Sequence, residues 1–494
     1  MSDILEKFVE IISELSRIQK LPQPYRDEDD DFPLPRQLGA GNGLFINISK
    51  KLDQFIADIA RAMRNSSSLK SQLTADEYRE IVRRAFGPAL AKIELDADFS
   101  HNAQSVLTDV EATVSKNIDW VLNNGGQEYA FGCTLFTYED VAPFEIGPVR
   151  FESRLIWLDR KASDGCWARV ASNGRIERFD HQIADGPISK ITKRRIMRIW
   201  QGNKLRDRQS SVDSHNEHDI LKAIGDCPYV CSVKIAGFGG KAGQDKALLA
   251  LRLALATISL FWARPSNALD GLNLYFDREM RNRYLLSFTR DGLISSGGMI
   301  SNMPHAPWID RKVLEANFKE YAPIFAIAGE AINWLLNPTV NHTRPELQNI
   351  LVQAMLWFHD GCRETVDLKA IVCFASCMDI LASGGGQDSI RKLISARLGI
   401  EENTKIHRDG FTVKEVIKQI YDDGRNRFSH GPMKSGKHVW GDKLGHDWSE
   451  TRDLAEWLAR QCLLLCMDWM VEHPTCDDPA QLLQTKLAPV RRSG

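Results

Sequence analysis

The spacing of the apolar residues changes twice along the chain, near residue 125 and again near residue 340, and these changes limit the folds open to it. Before the first change and after the second, apolar residues recur at the three- and four-residue spacing of helices. Between them, short aromatic and β-branched runs alternate with turn residues, as they do in strands and hairpins. The sequence therefore predicts a multidomain α+β fold.

Four segments are expected from this pattern, because 494 residues exceed what one hydrophobic core normally serves. They are a helical N-terminal region at 1–125, an α+β middle domain at 126–340, an all-α helical bundle at 341–480 and a disordered tail at 481–494. The first boundary falls at the turn-like stretch "NNGG", residues 123–126.

The N-terminal region is predicted to be helical apart from one loop. Its first helix is amphipathic, with Phe8 and Ile12 on one face. The acidic stretch "YRDEDDDFPLPRQLGAGNG", which contains prolines and glycines, follows as a loop or linker. Residues 43–122 are expected to be helical again, with Thr74 as an N-cap.

The middle domain is predicted to combine strands with one long apolar helix. An Asn-Gly dipeptide inside "CWARVASNGRIERFD" indicates a hairpin. The run "ALLALRLALATISLFW" is interrupted by Arg252, so we expect a buried helix rather than a membrane span. The other predicted strands are "FGCTLFTYE", "VRFESRLIWLD", "YVCSVKIAGF", "LNLYF" and "YLLSFTRDG".

The last part of the chain has the apolar periodicity of helices joined by short connections. The predicted helices are 344–359, 366–382, 388–399, 412–430 and 450–472. Helices that follow one another so closely favour a bundle.

Composition narrows the functional classes. Lys and Arg number 63 against 65 Asp and Glu, so the net charge of −2 gives no general attraction to nucleic acid, and such binding needs a local patch. The start lacks a signal-peptide pattern and no long apolar run occurs, which predicts a cytoplasmic protein. The ten cysteines are expected to be reduced core thiols, since a zinc ribbon needs matching cysteine pairs.

The stretch "YDDGRNRFSHG", residues 421–431, is the main candidate for chemistry. Arg425 and His430 form one of three arginine–histidine pairs with similar spacing; the other two lie in a predicted hairpin arm and in the loop-like stretch "RDRQSSVDSHNEH". Only Arg425 and His430 belong to a predicted helix with a buried stripe, which Gly-Pro then ends. Asn426 lies four residues before His430 and is expected on the same face.

These side chains suit cleavage of RNA by its own 2′-OH group. The imidazole of His430 can take the 2′-OH proton, and the guanidinium fork of Arg425 matches the oxygens of a phosphate. Spacing alone leaves a structural alternative, in which Arg425 caps helix carbonyls and His430 offsets the helix dipole.

The same stretch resembles the motif of HEPN domains, the higher eukaryote and prokaryote nucleotide-binding superfamily, and in particular their Apea-like group. That motif has an arginine, a polar residue, three or more variable residues and a histidine, often with Tyr-Asp before it and Gly after it. The matching positions are Tyr421, Asp422, Arg425, Asn426, His430 and Gly431.

The likeness extends over about residues 344–475. The segment "AMLWFHDGCRETVDLKAIVCFASCMDILASGGG" is similar to the first two helices of the family, with Asp379 at the acidic position of the second, and "IRKLISARLGI" resembles the next helix. One departure is Gly424, where a helix former is more usual and where a glycine is expected to loosen the turn before Arg425.

The resemblance implies a HEPN helical bundle with Arg425, His430, Asn426 and Asp379 as catalytic residues. It implies metal-independent endoribonuclease activity without a cofactor, in a homodimer whose two motifs face one another. It also implies a bacterial anti-phage or toxin-like defence effector. The regions before the bundle would then sense a phage or cellular trigger or restrain the nuclease. The lack of a long apolar run predicts no membrane partner. Some family members only bind, so a non-catalytic RNA- or partner-binding module is the alternative.

A cluster of basic residues in "KITKRRIMRIW" is a second candidate for RNA contact. It is either a substrate-binding surface or a solvated helix face. Its members are Lys190, Lys193, Arg194, Arg195 and Arg198.

Two further kinds of candidate are weaker. The stretch "GFGGKAGQDK" lacks phosphate-loop spacing and predicts a turn, although a nucleotide-responsive regulator built on it stays an alternative. His215 and His218 are spaced so that both could bind one metal ion, but two ligands are too few for a site, and we expect no metal there. His438 and His446 follow the motif, in what is expected to be a surface loop.

Overall fold

The computed structural model is mostly helical with small antiparallel sheets, which agrees with the expected multidomain α+β class. It describes residues 2–22, 25, 35–94, 99–124, 126–164, 168–170, 176–178, 188–277, 287–295, 305–337, 340–426 and 448–484. The chain divides into two compact units, one formed by Met1–Glu128 with Lys234–Ala247 and the other by Tyr129–Val233 with Leu248–Gly494.

The first unit is built from helices around a single apolar core. Thr74 is the N-cap of its third helix, as predicted, and forms a capping box with Glu77. The core includes Phe8, Ile12 and Phe86, all fully buried. The elements are α1 (Ser2–Gln19), β1 (Gln37–Gly41), β2 (Leu44–Asn47), α2 (Lys50–Ser66), α3 (Ala75–Leu90) and α4 (Phe99–Asn124).

The start of the predicted helical stretch 43–122 is a β-hairpin, so that part of the prediction was wrong. Strands β1 and β2 pair antiparallel, and the residues between and beside them, Gly41, Asn42 and Gly43, all have positive φ angles. Leu44 and Ile46 follow this turn at a two-residue spacing, which is the period of a strand. The glycines therefore allow a tight reversal that the helical interpretation overlooked.

The second unit contains a four-stranded sheet in the order β3-β8-β5-β4. Its strands are β3 (Gln127–Cys133), β4 (Phe144–Ile146), β5 (Val149–Ser153) and β8 (Tyr229–Ile235). The predicted Asn-Gly hairpin is confirmed by the antiparallel pairing of β6 (Ala168–Val170) with β7 (Ile176–Arg178). A short hairpin pairs β9 (Ser287–Phe288) with β10 (Ile294–Ser295).

Three predictions in this region were wrong. The residues "RLIWLD" begin helix α5 (Arg154–Asp164), because Trp157 and Leu158 bury their side chains in a core that helical spacing creates. The stretch "LNLYF" makes one isolated bridge and then a 3-10 turn at Tyr275–Asp277. The second half of the predicted loop "RDRQSSVDSHNEH", the residues "VDSHNEH", begins helix α7 (Val212–Ile224), which a capping box at Ser211 starts.

Further helices occur along this middle part of the chain. They are α6 (Lys190–Trp200), α8 (Gly240–Ser259), α9 (Pro265–Leu269), α10 (Arg311–Glu320) and α11 (Ala322–Leu336). Helix α8 confirms the predicted apolar helix, since Leu251, Leu255 and Ile258 are buried.

The C-terminal part has helices close to all five predicted positions. They are α12 (Pro345–Arg363), α13 (Asp367–Leu381), α14 (Gly386–Leu398), α15 (Val413–Lys418) with the π-helical segment Gln419–Asn426, and α16 (Ser449–Glu472). Helix α13 packs against α12 and α16, and α11 packs against the same two helices. A 3-10 turn at Pro479–Leu483 follows α16, and Leu482 is buried.

Polar contacts tie this helical part to residues that precede it in the same unit. Glu456 on α16 is buried and accepts hydrogen bonds from the backbone and the hydroxyl of Ser266, at 2.7 and 2.8 Å. Arg363 on α12 donates to the carbonyl of Asp277 at 2.6 Å. Among the described residues, no single helix is both long and apolar enough to cross a membrane, and only the pair α13 and α14, bent by 70°, meets that criterion jointly.

Candidate active site

The candidate motif begins in a helix that changes its winding. Helix α15 starts at Thr412, which forms a capping box with Glu415. From Gln419 to Asn426 the backbone is π-helical, a rare and wider winding that is often found at functional sites. His430 and the rest of residues 427–447, which include His438 and His446, lie outside the described residues.

Gly424 is explained by close packing. It is buried, and a Cβ atom at this position would lie only 2.6 Å from Cγ2 of Ile371, a fully buried residue of α13. A side chain at 424 would therefore push the π-helical segment away from α13. The glycine therefore lets the backbone that carries Arg425 approach α13.

Arg425 is held by two neighbours. Its Nη1 donates a hydrogen bond to the hydroxyl of Tyr421 at 2.6 Å, and its guanidinium carbon lies 4.7 Å from the centre of the Tyr421 ring. Its Nη2 lies 3.5 Å from Oδ2 of Asp379, whose side chain is 14% exposed. The structure therefore brings Arg425 and Asp379 together, two of the predicted catalytic residues, on an aromatic support.

Asp379 also closes the glycine turn between α13 and α14. Its carbonyl accepts a hydrogen bond from the backbone of Gly384 at 2.8 Å, and its Oδ1 accepts one from the backbone of Gly386 at 3.0 Å. Residues 383–386 all have positive φ angles, a run that glycine makes possible. The Asp379 carboxylate thus fixes both the glycine turn and the side chains of Tyr421 and Arg425.

Tyr421 joins Asp379 to Arg425. Its hydroxyl donates to Oδ2 of Asp379 at 3.3 Å and accepts from Arg425. Burial, followed by the nearby charge of Asp379, raises the pKa of Tyr421, whereas Arg425 opposes this shift. The phenol therefore stays protonated at neutral pH and keeps its direction of donation.

Asn426 occupies a different position from Arg425. Its Nδ2 donates a hydrogen bond to Oδ1 of Asp422 at 3.3 Å. A π-helical turn holds more residues than an α-helical one, so the α-helical phasing used to place Asn426 beside His430 does not apply to this segment. The structure gives Asn426 a contact within its own segment and none with Arg425 or Asp379 among the contacts of the described residues.

The predicted basic cluster separates into two sets on α6. Lys193 pairs with Asp159 at 2.5 Å, and Arg195 makes a double contact with Glu217, at 2.7 Å through Nε and 3.0 Å through Nη2. The hydrogen bonds that Arg195 donates to Glu217, more than the charge of Glu217, raise the pKa of Arg195. These two residues hold α6 against α5 and α7. The other members are exposed: Lys190, Arg194 and Arg198.

The glycine-rich turn before α8 has its anion position filled by the protein itself. Oε1 and Oε2 of Glu77 accept hydrogen bonds from the backbone of Lys241 and Ala242 at 2.6 and 3.3 Å. A carboxylate in the first turn of α8 takes the place that a phosphate would occupy in a phosphate loop. This geometry favours the structural turn over a nucleotide site.

One group in the described part of the chain could hold a metal ion, and sequence reasoning missed it. His407, Asp409 and Glu450 place their ligand atoms within 4.8 Å of one another, around a cavity of about 200 Å³. However, Arg408 already forms an ion pair with Glu450, and the backbone of Asp409 donates to Nδ1 of His407. Of the two histidines predicted to bind no metal, His215 donates a hydrogen bond from Nδ1 to the backbone carbonyl of Ser211 at 2.7 Å.

The cysteines of the helical part behave as core thiols. Burial raises the pKa of Cys362, Cys377 and Cys462 well above its ordinary range and that of Cys373 to about 12. These thiols are therefore protonated at neutral pH and are poor nucleophiles and poor metal ligands.

Sequence reasoning also missed the role of Tyr421, although a signal was available. Tyr421 and Arg425 are four residues apart in a predicted helix, a spacing that brings two side chains onto one face. The part played by the glycine turn had no local signal, because Gly386 reaches Tyr421 only through the packing of α14.

No protein-family model, curated protein sequence or solved structure matches the chain.

Proposed function

We propose that the chain is a metal-independent endoribonuclease of the HEPN type that cleaves RNA through attack by the 2′-OH group. The observation that carries this proposal is the way Arg425 is held. Its guanidinium rests on the Tyr421 ring and is fixed by that residue's hydroxyl and by Asp379, while its side chain remains 28% exposed. An oriented and partly exposed guanidinium is suited to the oxygens of a phosphodiester.

The reaction needs a base, an acid and a positive charge. His430 would take the proton of the 2′-OH, and the 2′-oxygen would then attack the neighbouring phosphorus. Arg425 would bind the oxygens that gain negative charge. The 5′-oxygen leaves as its bond to phosphorus breaks and takes a proton from an acid. The products are a 2′,3′-cyclic phosphate and a 5′-hydroxyl.

The remaining motif residues act through these two. Asp379 and Tyr421 would be positioning residues, because they contact the Arg425 guanidinium and can hold it towards a phosphate. Asn426, tied to Asp422, would orient the chain that leads to His430.

Assembly follows from the chemistry. One motif supplies one histidine, whereas cleavage uses both a base and an acid. Two copies of the helical part that meet at their motif faces would supply both, so we expect a twofold homodimer. In this proposal the chain is a cytoplasmic, toxin-like effector of anti-phage defence, and the regions before residue 340 respond to the trigger.

Incubation of the purified protein with total RNA in the presence of EDTA tests the proposal. We expect cleavage with 2′,3′-cyclic phosphate or 3′-phosphate ends and 5′-hydroxyl ends, and little cleavage by His430→Ala. DNA of the same sequence should survive, since it lacks the nucleophile.

Lys418→Ala is a matched control, because Lys418 is an exposed basic residue on the same helical segment. It should cleave as the unmodified protein does. Products with 5′-phosphates, or full activity in His430→Ala, would reject this mechanism. Tight RNA binding with no cleavage under any condition would favour the non-catalytic binding module.

A further inference from the structure

Helix α6 presents one face with positive charge and no acidic partner among the described residues. Lys190, Arg194 and Arg198 follow one another at four-residue steps and are all exposed. Four residues advance an α-helix by about 6 Å, so the three cations form a row along one side of the helix. Within the part of the chain that the structure describes, no ion pair includes any of them.

The other faces of α6 account for its place in the fold. Thr192 and Ile196 are buried, and Lys193 and Arg195 pair with carboxylates on α5 and α7. The helix itself contains no acidic residue. Among the described residues the three outward cations form no ion pair within the fold, and their mutual repulsion is a cost that an anionic partner would remove.

We infer that this face of α6 is a contact surface for the sugar–phosphate backbone of single-stranded RNA. The inference rests on the proposed function, which makes RNA the substrate, and it narrows the predicted binding cluster to Lys190, Arg194 and Arg198. A row of cations on one line complements a strand of regularly spaced phosphates, and with an overall charge of −2 the attraction is local. The exposed members of the face include Ile191 but no aromatic ring, so the contact reads backbone charge and not base identity.

The chain offers a matched pair of double variants on one helix. Arg194→Gln with Arg198→Gln removes two unpaired cations, whereas Lys193→Gln with Arg195→Gln removes two paired ones, and both change the net charge equally. Glutamine keeps the helix propensity of the replaced residues. Binding of a fluorescein-labelled, single-stranded 2′-O-methyl RNA, which cannot be cleaved by this chemistry, is measured by anisotropy at several KCl concentrations.

The slope of log affinity against log salt concentration should become shallower by about 1.4 for the unpaired double variant, at about 0.7 per lost phosphate contact on a single strand. The paired double variant should keep the slope of the unmodified protein. Circular dichroism shows whether the paired double variant is folded. If it is unfolded, the single variants Lys193→Gln and Arg194→Gln give the same comparison, and their slopes should change by about 0 and 0.7.

Equal slopes for the two sets would overturn the inference. A second result would also overturn it: the unpaired double variant binds vesicles that contain phosphatidylserine less well than the unmodified protein but binds RNA equally well. The surface would then serve a membrane. If the unmodified protein fails to cut RNA but the unpaired double variant shows the predicted change of slope, the nuclease proposal fails and the α6 surface stands.

Discussion

Arg195 and Arg425 both meet a carboxylate that is largely buried, but the two arginines are held differently. Arg195 uses its Nε and Nη2 on both oxygens of Glu217, at 2.7 and 3.0 Å, which fills its fork. Arg425 lies 3.5 Å from one oxygen of Asp379 and leans on the Tyr421 ring and hydroxyl. A filled fork serves the fold, whereas a supported but partly free fork can still bind an anion.

The pKa shifts at the two sites have different causes. Glu217 raises the pKa of Arg195 above its ordinary value through a hydrogen bond. At the motif, it is the pKa of Tyr421 that is raised, mainly by burial and then by Asp379. The phenol that supports Arg425 therefore stays protonated and can donate to Asp379.

The largest expected effect is on catalysis at the motif. Arg425→Ala should lower the rate of RNA cleavage about 10²–10³-fold, as loss of a donor to a charged transition state does. The free energy of unfolding should change by only about 1–2 kcal/mol, because the ion pair to Asp379 is long and the hydrogen bond to Tyr421 belongs to a partly exposed side chain. Gel assays of initial rates and chemical denaturation measure the two effects.

Arg425→Lys sharpens this prediction. It keeps the charge and loses the fork, so we expect little recovery of the rate. Full recovery would mean that Arg425 supplies charge alone, and a large loss of stability in Arg425→Ala would place Arg425 in the same structural class as Arg195.

Arg195→Ala should show the opposite pattern. It leaves Glu217, which is 8% exposed, with Arg208 as its remaining basic partner at 3.3 Å. Loss of two charge-assisted hydrogen bonds should lower the free energy of unfolding by about 1–3 kcal/mol. Cleavage per folded molecule should not change. A rate loss as large as that of Arg425→Ala would remove the distinction between the two arginines.

Gly424→Ala tests how the approach to α13 places Arg425. The new Cβ would meet Ile371 at 2.6 Å, so the variant should lose about 1–3 kcal/mol of stability through overpacking, together with part of its activity. Gly240→Ala is the control, because a Cβ there meets no atom within 4 Å. Equal stability of the two variants in urea denaturation would show that the segment can move away from α13 without cost.

The smallest expected effect is that of the Tyr421 hydroxyl. Tyr421→Phe keeps the ring under Arg425 and removes two hydrogen bonds, so cleavage should fall about fivefold to tenfold, equivalent to about 1 kcal/mol. Tyr421→Ala, which also removes the ring, should lose more. A rate unchanged in Tyr421→Phe would leave only the ring as the support of Arg425.

The same variant has a pH signature. The pKa of Tyr421 is raised on folding, so its protonated form stabilises the fold fully below the unfolded-state value of about 10. That contribution is lost as pH rises through the folded pKa. Above about pH 10, the unmodified protein should therefore lose stability more steeply than Tyr421→Phe, and equal slopes would contradict the assignment.

Much of the secondary structure could be predicted because it depends on nearby residues. The helices from 345 to 472, the cap at Thr74 and the hairpin of β6 and β7 follow from periodicity, capping and turn chemistry. The errors also come from judging nearby residues alone. Leu44 and Ile46 show the two-residue spacing of a strand over only a few residues, and the helical pattern further along the chain outweighed it. At α5, residues with strand propensity are helical, because a helix buries Trp157 and Leu158 in one core cluster.

By itself, the sequence determined the helices of the last part of the chain and the candidates Arg425, Asn426 and His430. Only the tertiary structure decided which of the basic side chains form ion pairs among the described residues. Asp379 and Tyr421 are 42 residues apart, and Arg195 and Glu217 are 22 apart, so no local pattern links either pair. Local periodicity reports the preferences of one segment, whereas the partner of a charged side chain depends on which segments pack together. For that reason the five basic residues of α6 look alike in sequence and differ in the folded chain.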